Sequence, residues 1–323
     1  MRPALVPSVW SCRPPLLARL RKPSDTSAVR CGQRVHHTLW VAAAGAAAAP
    51  LVARCRRRSL RDAARAATTC ADCSSAVLQD IKNAEVVRPL RGHPHTCTVI
   101  YLHGYARFGR DYLEEGWCLP WMRGADRAPG LRAVFPNAGY LRQPWGEKEP
   151  SWYAYAEPNR NRVGDPATLA ATRRRLAKIV RAEVARLGGA ASRVFLGGLS
   201  QGCTVALDVY LRAQASDLGL GGFVGSVGFL PTDGCGFSGA GRAMQALAAH
   251  RAHAARPLWL QCATDDRQVV PWKSLVKPSL RRAEGRLLGL AVREVWGRGH
   301  NIDDWECHII NDFFKQYARD AYC

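Results

Sequence analysis

From about Leu78 onward, short runs of β-branched and other apolar residues alternate with longer stretches in which apolar residues recur every three or four positions. This alternation is typical of a mainly parallel β-sheet with helices on both faces. It predicts an α/β fold with strands over residues 97–102, 131–135, 193–196, 222–227, 257–262 and 290–296. We therefore predict one domain over residues 76–323, preceded by an extension over residues 1–75.

Two helices of this domain are predicted in detail. Asp165 and Pro166 indicate the start of a long helix, because aspartate caps helix amides and proline suits the first turn. Gly188 and Gly189 indicate its end. Its sheet-facing side should comprise Leu169, Thr172, Leu176, Ile179, Val180, Val184 and Leu187. A last helix should start near residue 303 and bury Trp305, Ile309, Ile310, Phe313, Phe314 and Tyr317.

The first 75 residues differ in composition from the rest. More than half of the formal net charge of +20 comes from residues 1–70, which hold 13 Lys or Arg and two acidic residues. An Arg-rich, acid-poor N-terminus is typical of an organelle transit peptide. We expect targeting to a plastid or mitochondrion, with a membrane-anchored or cytoplasmic protein as alternatives. Residues 39–53 are too short for a typical spanning helix of roughly 20 apolar residues, which leaves a signal segment, a weak membrane anchor or an Ala-rich linker.

The placement of charge and the number of cysteines argue against a nucleic-acid enzyme and against a disulfide-bonded protein. A nucleic-acid enzyme would carry a basic stripe interleaved with aromatic residues on its folded domain, so we expect no nucleic-acid partner. From residue 76 onward the seven cysteines are scattered and odd in number, which favours a reducing compartment over a disulfide framework. Cys70 and Cys73 form a lone C-x-x-C that lacks a second pair, and we interpret it as chance in a linker.

The sequence Gly198-Leu199-Ser200-Gln201-Gly202 directly follows a predicted strand and directly precedes a helical pattern. This is the strand–turn–helix context that a G-x-S-x-G nucleophile elbow requires. Glycines are needed on both sides because side chains two residues from the serine would collide. The helix N-terminus would direct amides toward developing negative charge. We predict Ser200 as the nucleophile, with a glycine-rich turn without chemistry as the alternative.

A second loop, Leu102-His103-Gly104-Tyr105, ends the first strong strand. Acyl transfer builds negative charge on the carbonyl oxygen, and two backbone N–H groups should meet it. We assign these oxyanion-hole donors to Gln201, the residue after the nucleophile, and to Tyr105 in the strand-end loop. His103 is interpreted as structural rather than catalytic.

A serine nucleophile needs a histidine that takes its proton and a carboxylate that orients this histidine. In the α/β-hydrolase order, the carboxylate and then the histidine follow the serine. Of nine histidines, only His300 combines this order with a loop position. The carboxylate should follow the strand at 257–262, where Asp265 and Asp266 are adjacent. We favour Asp266, which lies deeper in the loop, and keep Asp265 as the alternative.

Together these residues resemble the phospholipase/carboxylesterase family, which includes acyl-protein thioesterases and lysophospholipases. The resemblance spans residues 95–317, and its segments follow the family's order: TVIYLHG (98–104), FPNA (135–138), SWY (151–153), SRVFLGGLSQG (192–202), Asp266 with Val270-Pro271, and Gly299-His300. It implies a single domain of the α/β-hydrolase fold, no metal or organic cofactor, and a shallow apolar groove for an acyl chain.

Three positions depart from the family pattern. Ala106 and Arg107 stand where the family has a glycine soon after His-Gly, and Ala154 stands where it often has an acidic residue. A gap-free reading places the family's catalytic aspartate on Arg267, and a shift of one residue places it on Asp266. These departures bear on the carboxylate more than on the serine or the histidine.

The residues and the resemblance predict a serine hydrolase that cleaves carboxylic esters or thioesters in small-molecule or acylated substrates. Trp152 and Tyr153, with Trp121 and Trp145, lie in a long connection and would line the acyl groove, unless they only pack the loop. Amide cleavage by the same triad and a catalytically silent binding module stay open. A membrane- or nucleic-acid-binding module would require residues 1–75 to persist in the mature protein.

Overall fold

The computed structural model describes residues 83–114, 127–156, 162–231, 240–247, 249–283, 285–297, 299–300 and 304–322. These residues all belong to one unit of the chain, Ser59–Cys323. The predicted N-terminal extension, with its apolar run at 39–53, lies outside them, as does Trp121. Within these ranges, no helix has the length and apolar character needed to cross a membrane.

Seven strands form one sheet in the order β1-β3-β2-β6-β7-β8-β9, and β4 pairs with β5 in a separate hairpin. Neighbours in the large sheet are parallel, except that β1 runs antiparallel to β3 at one edge. The strands are β1 (Ala84–Val87), β2 (Cys97–Leu102), β3 (Leu131–Pro136), β4 (Tyr140–Arg142), β5 (Lys148–Pro150), β6 (Val194–Leu199), β7 (Gly222–Ser226), β8 (Leu258–Ala263) and β9 (Leu290–Val295).

Helices cover both faces of this sheet, as the alternating pattern predicts. Along β2, Ile100 packs in one core cluster with residues of α2 and α3, whereas Val99 and Tyr101 pack in another with residues of α7. Successive side chains of a strand point to opposite faces, so the two clusters lie on opposite sides. The helices are α1 (Asp111–Glu114), α2 (Pro166–Arg186), α3 (Gln201–Ala215), α4 (Ala240–Leu247), α5 (Arg251–Ala254), α6 (Lys277–Ala283) and α7 (Asp304–Tyr317).

The six predicted strands are present, and three further strands escaped prediction. These three are β1, β4 and β5, which have four residues or fewer and are mostly half-buried or exposed. Strands of this kind carry no run of buried apolar residues and no clean alternation, so their sequence looks like that of a loop.

Helix α2 starts and ends where its sequence predicts. The Asp165 side chain accepts a hydrogen bond from Ala167 N at 2.8 Å, and Pro166 is the first helical residue. Gly188 and Gly189 follow the helix with positive φ angles of 65° and 90°. On its predicted face Leu169, Leu176, Ile179 and Val180 are buried, and Thr172, Val184 and Leu187 are half-buried. The pattern missed a buried charge, Glu183, on the same helix.

The prediction for α7 was wrong at one residue. Four predicted core residues, Ile309, Ile310, Phe313 and Phe314, are buried. Tyr317 in the last turn is instead 37% exposed, and its ring contacts Trp259 and Phe313. Its place at the end of the helix takes it to the rim of the core. The side chain of Trp305 lies outside the described part of the chain.

Candidate active site

The carboxyl ends of β6, β8 and β9 carry the residues that the sequence singles out. Parallel strands end at the same edge of the sheet, where ligand sites of open α/β folds lie. Ser200 directly follows β6, Asp265 and Asp266 follow β8, and His300 follows β9. The topology therefore brings together residues that are up to 100 positions apart in sequence.

Ser200 stands in a strained turn between β6 and α3. Its φ and ψ angles are 52° and −119°, a conformation that is sparsely populated by residues with a side chain. The backbone N–H of Ser200 donates to Ser226 O at 2.9 Å, which ties the turn to the end of β7. Ser200 is 8% exposed, so the strained turn holds the nucleophile in a mostly buried position.

The glycines of the turn have the steric role that the sequence indicates. A Cβ atom at Gly198 would lie 2.8 Å from the carbonyl carbon of Gly202, closer than real Cβ contacts. A Cβ at Gly202 would overlap the backbone carbonyls of His103 and Leu102. Both positions therefore require glycine, the first within the turn and the second against the end of β2.

Ser200, His300 and Asp266 form a continuous hydrogen-bonded chain. Ser200 Oγ lies 2.7 Å from His300 Nε2, and His300 Nδ1 lies 2.6 Å from Asp266 Oδ2. This arrangement fits an imidazole that donates its Nδ1–H to the carboxylate and accepts the serine proton at Nε2. The structure thus brings the three predicted triad residues together.

Three backbone amides hold the Asp266 carboxylate in place. Its Oδ1 accepts from Gln268 N and Val269 N, and its Oδ2 accepts from Val270 N at 3.0 Å. Burial alone would raise the pKa of Asp266, but the hydrogen bonds from His300 and from the Val269 and Val270 amides outweigh burial and hold the pKa below its usual value. Asp266 is therefore an anion that is fixed in one orientation.

The neighbouring carboxylate of Asp265 has a different partner. Its Oδ2 accepts from the backbone N–H of Gly299 at 3.0 Å, one residue before His300. Between the two predicted candidates, Asp266 contacts the imidazole and Asp265 holds the backbone that carries it. Arg267, the position that a gap-free reading indicates, is exposed.

The predicted oxyanion loop lies against the nucleophile. A Cβ at Gly104 would meet Ser200 Cβ at 3.7 Å, so the turn that leads to Tyr105 borders the serine. Gln201 is the first residue of α3, and N–H groups in the first turn of a helix have no acceptor within the helix. Ala106 adopts a positive φ of 56° and donates its N–H to Pro150 O at 3.0 Å. Ala106, which stands where the family pattern has a glycine, is thus accommodated in the left-handed conformation.

His103 is a buried structural residue, as the sequence interpretation holds. Its Nδ1 lies 2.7 Å from Gly104 O, and its Nε2 accepts from Ala138 N at 2.9 Å. Burial lowers the pKa of His103 to about 4, so the ring is neutral near pH 7. The neutral ring fixes the carbonyl just before Tyr105 and thereby shapes the oxyanion loop.

Trp152 and Tyr153 do not line an open groove. Both side chains are fully buried, so they pack the loop, which was the alternative interpretation. Trp152 Nε1 donates to His103 O at 2.7 Å. The Gln201 side chain accepts from Trp152 N at 2.9 Å and donates to Tyr153 O at 3.0 Å. The two residues therefore pack beneath the surface and hold Gln201 and His103 through hydrogen bonds. The prediction that they line the groove was wrong.

The Gln201 side chain is a feature that analysis of the sequence missed. Its amide joins the segment 151–153 to the nucleophile elbow through hydrogen bonds that are buried. The two motifs, SWY and SQG, were each visible in the sequence, but nothing in either one showed that they bind each other. Trp145, another aromatic candidate, is half-buried and packs near Tyr105 and Tyr155.

Metal-ligating side chains gather at another place. Among the residues that the structure describes, the one group of three such side chains comprises Asp217, His250 and His253, none of which belongs to the triad.

Comparisons with known proteins agree with this architecture. The family model described as Phospholipase/Carboxylesterase matches residues 82–277, a range that includes Ser200 and Asp266 and ends before His300. Acyl-protein thioesterase 1 of Yarrowia lipolytica is 34% identical over 145 residues, which cover 42% of this chain and 59% of the relative. Acyl-protein thioesterase 1 of Schizosaccharomyces pombe is 31% identical over 156 residues, which cover 46% and 62%.

The chain thus spans about three fifths of the length of these curated relatives. Among solved structures, acyl-protein thioesterase 2 of Zea mays superposes with a TM-score of 0.58 at 20% identity, covering 72% of this chain and 98% of that chain. This likeness shows the α/β-hydrolase fold. Because the family model covers more than half of the chain, the protein belongs to the phospholipase/carboxylesterase family.

Proposed function

We propose that the protein is a serine hydrolase that cleaves carboxylic esters or thioesters through an acyl-enzyme on Ser200. The observation that supports this most directly is the hydrogen-bonded chain from Ser200 Oγ through His300 to Asp266, with distances of 2.7 and 2.6 Å. Membership of the phospholipase/carboxylesterase family supports the same class of reaction.

In the first half of the reaction, Ser200 Oγ attacks the carbonyl carbon of the substrate while His300 Nε2 takes the hydroxyl proton. Asp266 keeps the imidazole oriented and stabilises the imidazolium that forms. The C–O or C–S bond then breaks, and the leaving alcohol or thiol takes the proton from His300. The acyl group stays on Ser200 as an ester.

Two backbone amides, those of Tyr105 and Gln201, receive the negative charge of the tetrahedral intermediate in this proposal. Two observations support this assignment: Gly104 lies against Ser200, and Gln201 is the first residue of α3. The helix N-terminus adds a favourable partial positive charge. Loss of one such donor lowers the rate by roughly 100- to 1,000-fold in other enzymes.

In the second half, water replaces the alcohol or thiol. His300 takes a proton from the water as it attacks the acyl carbon, and then returns the proton to Ser200 Oγ as the ester breaks. The carboxylic acid leaves and the free enzyme is restored. No redox change occurs: the Ser200 proton leaves with the alcohol or thiol, and a proton from the water restores Ser200.

The substrates in this proposal are acylated compounds. The relatives in Yarrowia lipolytica and Schizosaccharomyces pombe are named acyl-protein thioesterase 1, which supports thioesters beside oxygen esters. An ester and a thioester of the same acyl group place the same carbonyl carbon before Ser200. The chemistry at the triad therefore admits both leaving groups.

The test uses the full chain with a fluorophosphonate probe and with short and long p-nitrophenyl esters and acyl thioesters. Wild type should react with the probe and turn over substrate. Ser200→Ala should fail to react with the probe and should lose at least about 1,000-fold in turnover. Ser192→Ala changes an exposed serine just before β6 and should behave like wild type.

A folded wild-type chain that neither reacts with the probe nor turns over these substrates would refute the proposal and favour a silent binding module. Turnover of amides at a rate above that of esters would instead favour the amide-cleaving alternative. The ratio of long-chain to short-chain turnover would then define the acyl preference.

For residues 1–75 we propose a targeting segment for a plastid or mitochondrion. The support is the excess of Arg and the scarcity of acidic residues in this part of the chain. Sequencing the N-terminus of the mature protein tests this proposal. A mature chain that begins near residue 76 would agree with it, and one that retains all of residues 1–75 would favour a membrane-anchored or cytoplasmic protein.

A further inference from the structure

A compact group of three side chains lies at the end of α3 that is remote from Ser200. Asp217 follows the C-terminus of α3, His250 directly precedes α5, and His253 lies within α5. Because α3 begins at Gln201, next to Ser200, its 15 residues separate the group from the nucleophile by about 22 Å. The group is therefore independent of the triad.

The ligand atoms of the three side chains converge. Asp217 Oδ1 lies 2.6 Å from His253 Nε2 and 3.7 Å from His250 Nδ1. All three potential ligand atoms lie within 4.8 Å of one another. The two imidazole rings stack with centroids 5.8 Å apart and an interplanar angle of 28°. Two nitrogen donors and one oxygen donor thus surround a single point.

The surroundings of the group are those of an open site rather than of a packed core. Asp217 is 72% exposed and His250 is 39% exposed, whereas His253 is mostly buried. The Nδ1 atom of His253 is buried without a hydrogen-bond partner among the described residues, so its Nε2 is the nitrogen that faces the group. Solvent can reach the point between the three side chains from the Asp217 side.

Asp217 occupies a position at the end of α3 that is unfavourable for a carboxylate. Its φ angle is 63°, in the left-handed region that glycine usually occupies at the end of a helix. A carboxylate at a helix C-terminus is disfavoured by the helix dipole. A cation at the group would offset the unfavourable interaction of the Asp217 carboxylate with the helix dipole.

We propose that Asp217, His250 and His253 bind a divalent transition-metal ion, with Zn²⁺ as the ion that fits best. Zn²⁺ takes imidazole nitrogen at about 2.0–2.1 Å and carboxylate oxygen at about 2.0–2.2 Å in a tetrahedral site. Ligand atoms of such a site lie about 3.4 Å apart. Binding would replace the hydrogen bond between Asp217 and His253 with a bond from each side chain to the ion, and water would supply the fourth ligand.

The ion in this site connects two elements that are not neighbours in sequence. Asp217 belongs to the turn after α3, and both histidines belong to the segment that starts α5. Binding at this place stabilises the folded chain because the unfolded chain does not hold the three ligands together. The site is structural, since it lies at the far end of α3 from Ser200.

The experiment measures Zn²⁺ binding to the full chain by equilibrium dialysis, for wild type, Asp217→Asn and His250→Ala. Both substitutions change exposed side chains, and asparagine tolerates the left-handed conformation of Asp217. Each variant should bind one Zn²⁺ fewer per chain than wild type, or bind this ion roughly 100-fold more weakly. His93→Ala changes an exposed histidine outside the group and is the matched control.

Zinc bound elsewhere, for example by the cysteines of residues 1–75, is common to all four proteins and cancels in the comparison. Zn²⁺ should also raise the melting temperature of wild type and of His93→Ala by more than that of the two site variants. Equal zinc stoichiometry and equal affinity in wild type and both site variants would overturn the proposal. An equal loss in His93→Ala would overturn it as well. Ester turnover by the variants, measured separately, reports on the triad and shows that they are folded.

Discussion

At the scale of single residues, the site depends on how two adjacent carboxylates divide their work. Asp266 contacts His300 Nδ1 and accepts three backbone amides, whereas Asp265 accepts the N–H of Gly299. One carboxylate sets the tautomer of the imidazole, and the other sets the path of the loop that carries it. Substitutions at the two positions should therefore differ in their effect on turnover.

Asp266→Asn should lower ester turnover by about 10³- to 10⁴-fold, because an amide no longer stabilises the correct imidazole tautomer and the imidazolium. Asp265→Asn should stay within about tenfold of wild type, because the asparagine oxygen still accepts from Gly299 N. Steady-state turnover of a p-nitrophenyl ester measures both. A larger loss in Asp265→Asn than in Asp266→Asn would contradict this assignment.

Asp266 also makes stability depend on pH in a defined direction. Its pKa in the folded chain is below the ordinary value of 3.8, so its stabilising contribution is present in full above pH 3.8 and is lost as the pH falls through the lowered pKa. The difference in free energy of unfolding between wild type and Asp266→Asn should be constant from pH 7 to about pH 5 and shrink in the acid range. Urea unfolding at a series of pH values measures it.

When His300 is replaced by alanine in both proteins, the stability that Asp266 contributes should be lost at a higher pH than in the presence of His300. The imidazole hydrogen bond that lowers the pKa is then absent, and burial, which raises the pKa, is no longer opposed by it. If the pH range of this loss is the same with and without His300, the backbone amides alone set the pKa of Asp266.

At the scale of elements, α2 shows what a hydrophobic pattern does not reveal. Glu183 is fully buried on this helix, where its Oε2 accepts from Arg132 Nε at 3.0 Å and from Thr98 Oγ1 at 3.2 Å. Arg186 Nε lies 3.4 Å from its Oε1. The carboxylate thus connects the helix to β2 and β3 through polar contacts beneath the apolar face.

Glu183→Ala should destabilise the fold by about 3 kcal/mol, because it leaves the mostly buried Arg132 guanidinium without its partner. Asp320→Ala is the matched control, since the Arg193–Asp320 pair at 3.1 Å is half-exposed on both sides and should contribute at most about 1 kcal/mol. Chemical denaturation gives both values. Equal losses in the two variants would show that Glu183 is not an essential partner of Arg132.

Analysis of the sequence predicted the elements that carry regular patterns and missed those that do not. The six longer strands and the caps of α2 follow from apolar runs and from Asp165, Pro166, Gly188 and Gly189. Glu183 could not be predicted as buried, because its partners Arg132 and Thr98 lie 51 and 85 positions away. Trp152 and Tyr153 looked alike as groove or packing residues, since their burial depends on contacts with Gln201 and His103 that sequence spacing does not encode.

At the scale of the whole molecule, the triad spans four neighbouring strands. The nucleophile follows β6, a central strand with parallel neighbours on both sides, whereas the histidine follows β9, the last strand in the sheet order. The chain order of serine, carboxylate and histidine could be predicted from the sequence. The sequence favoured Asp266 over Asp265 and the structure agrees, but Asp265 stayed open because the path of the loop after β8 decides which carboxylate faces the imidazole.

This placement predicts that activity disappears before the sheet unfolds. Strand β9 is mostly exposed, and Trp296 just after it is 81% exposed, so little buried apolar area holds this edge. Elements with few buried contacts open locally at a lower free energy than the core. In urea, ester turnover should decline at a lower concentration than the far-ultraviolet circular dichroism signal. Coincident curves would show that β9 unfolds together with the rest of the sheet.

Because β9 lies at the edge of the sheet, labelling of Ser200 by a covalent probe also reports whether β9 is docked. A fluorophosphonate needs a serine that His300 activates, and His300 is in place only while β9 is docked against β8 over Leu258–Ala263. When local opening and closing is fast, the rate of labelling is proportional to the docked population. The probe then reports a conformational equilibrium at one edge of the sheet, and a chain that is folded elsewhere but open at this edge is silent to it.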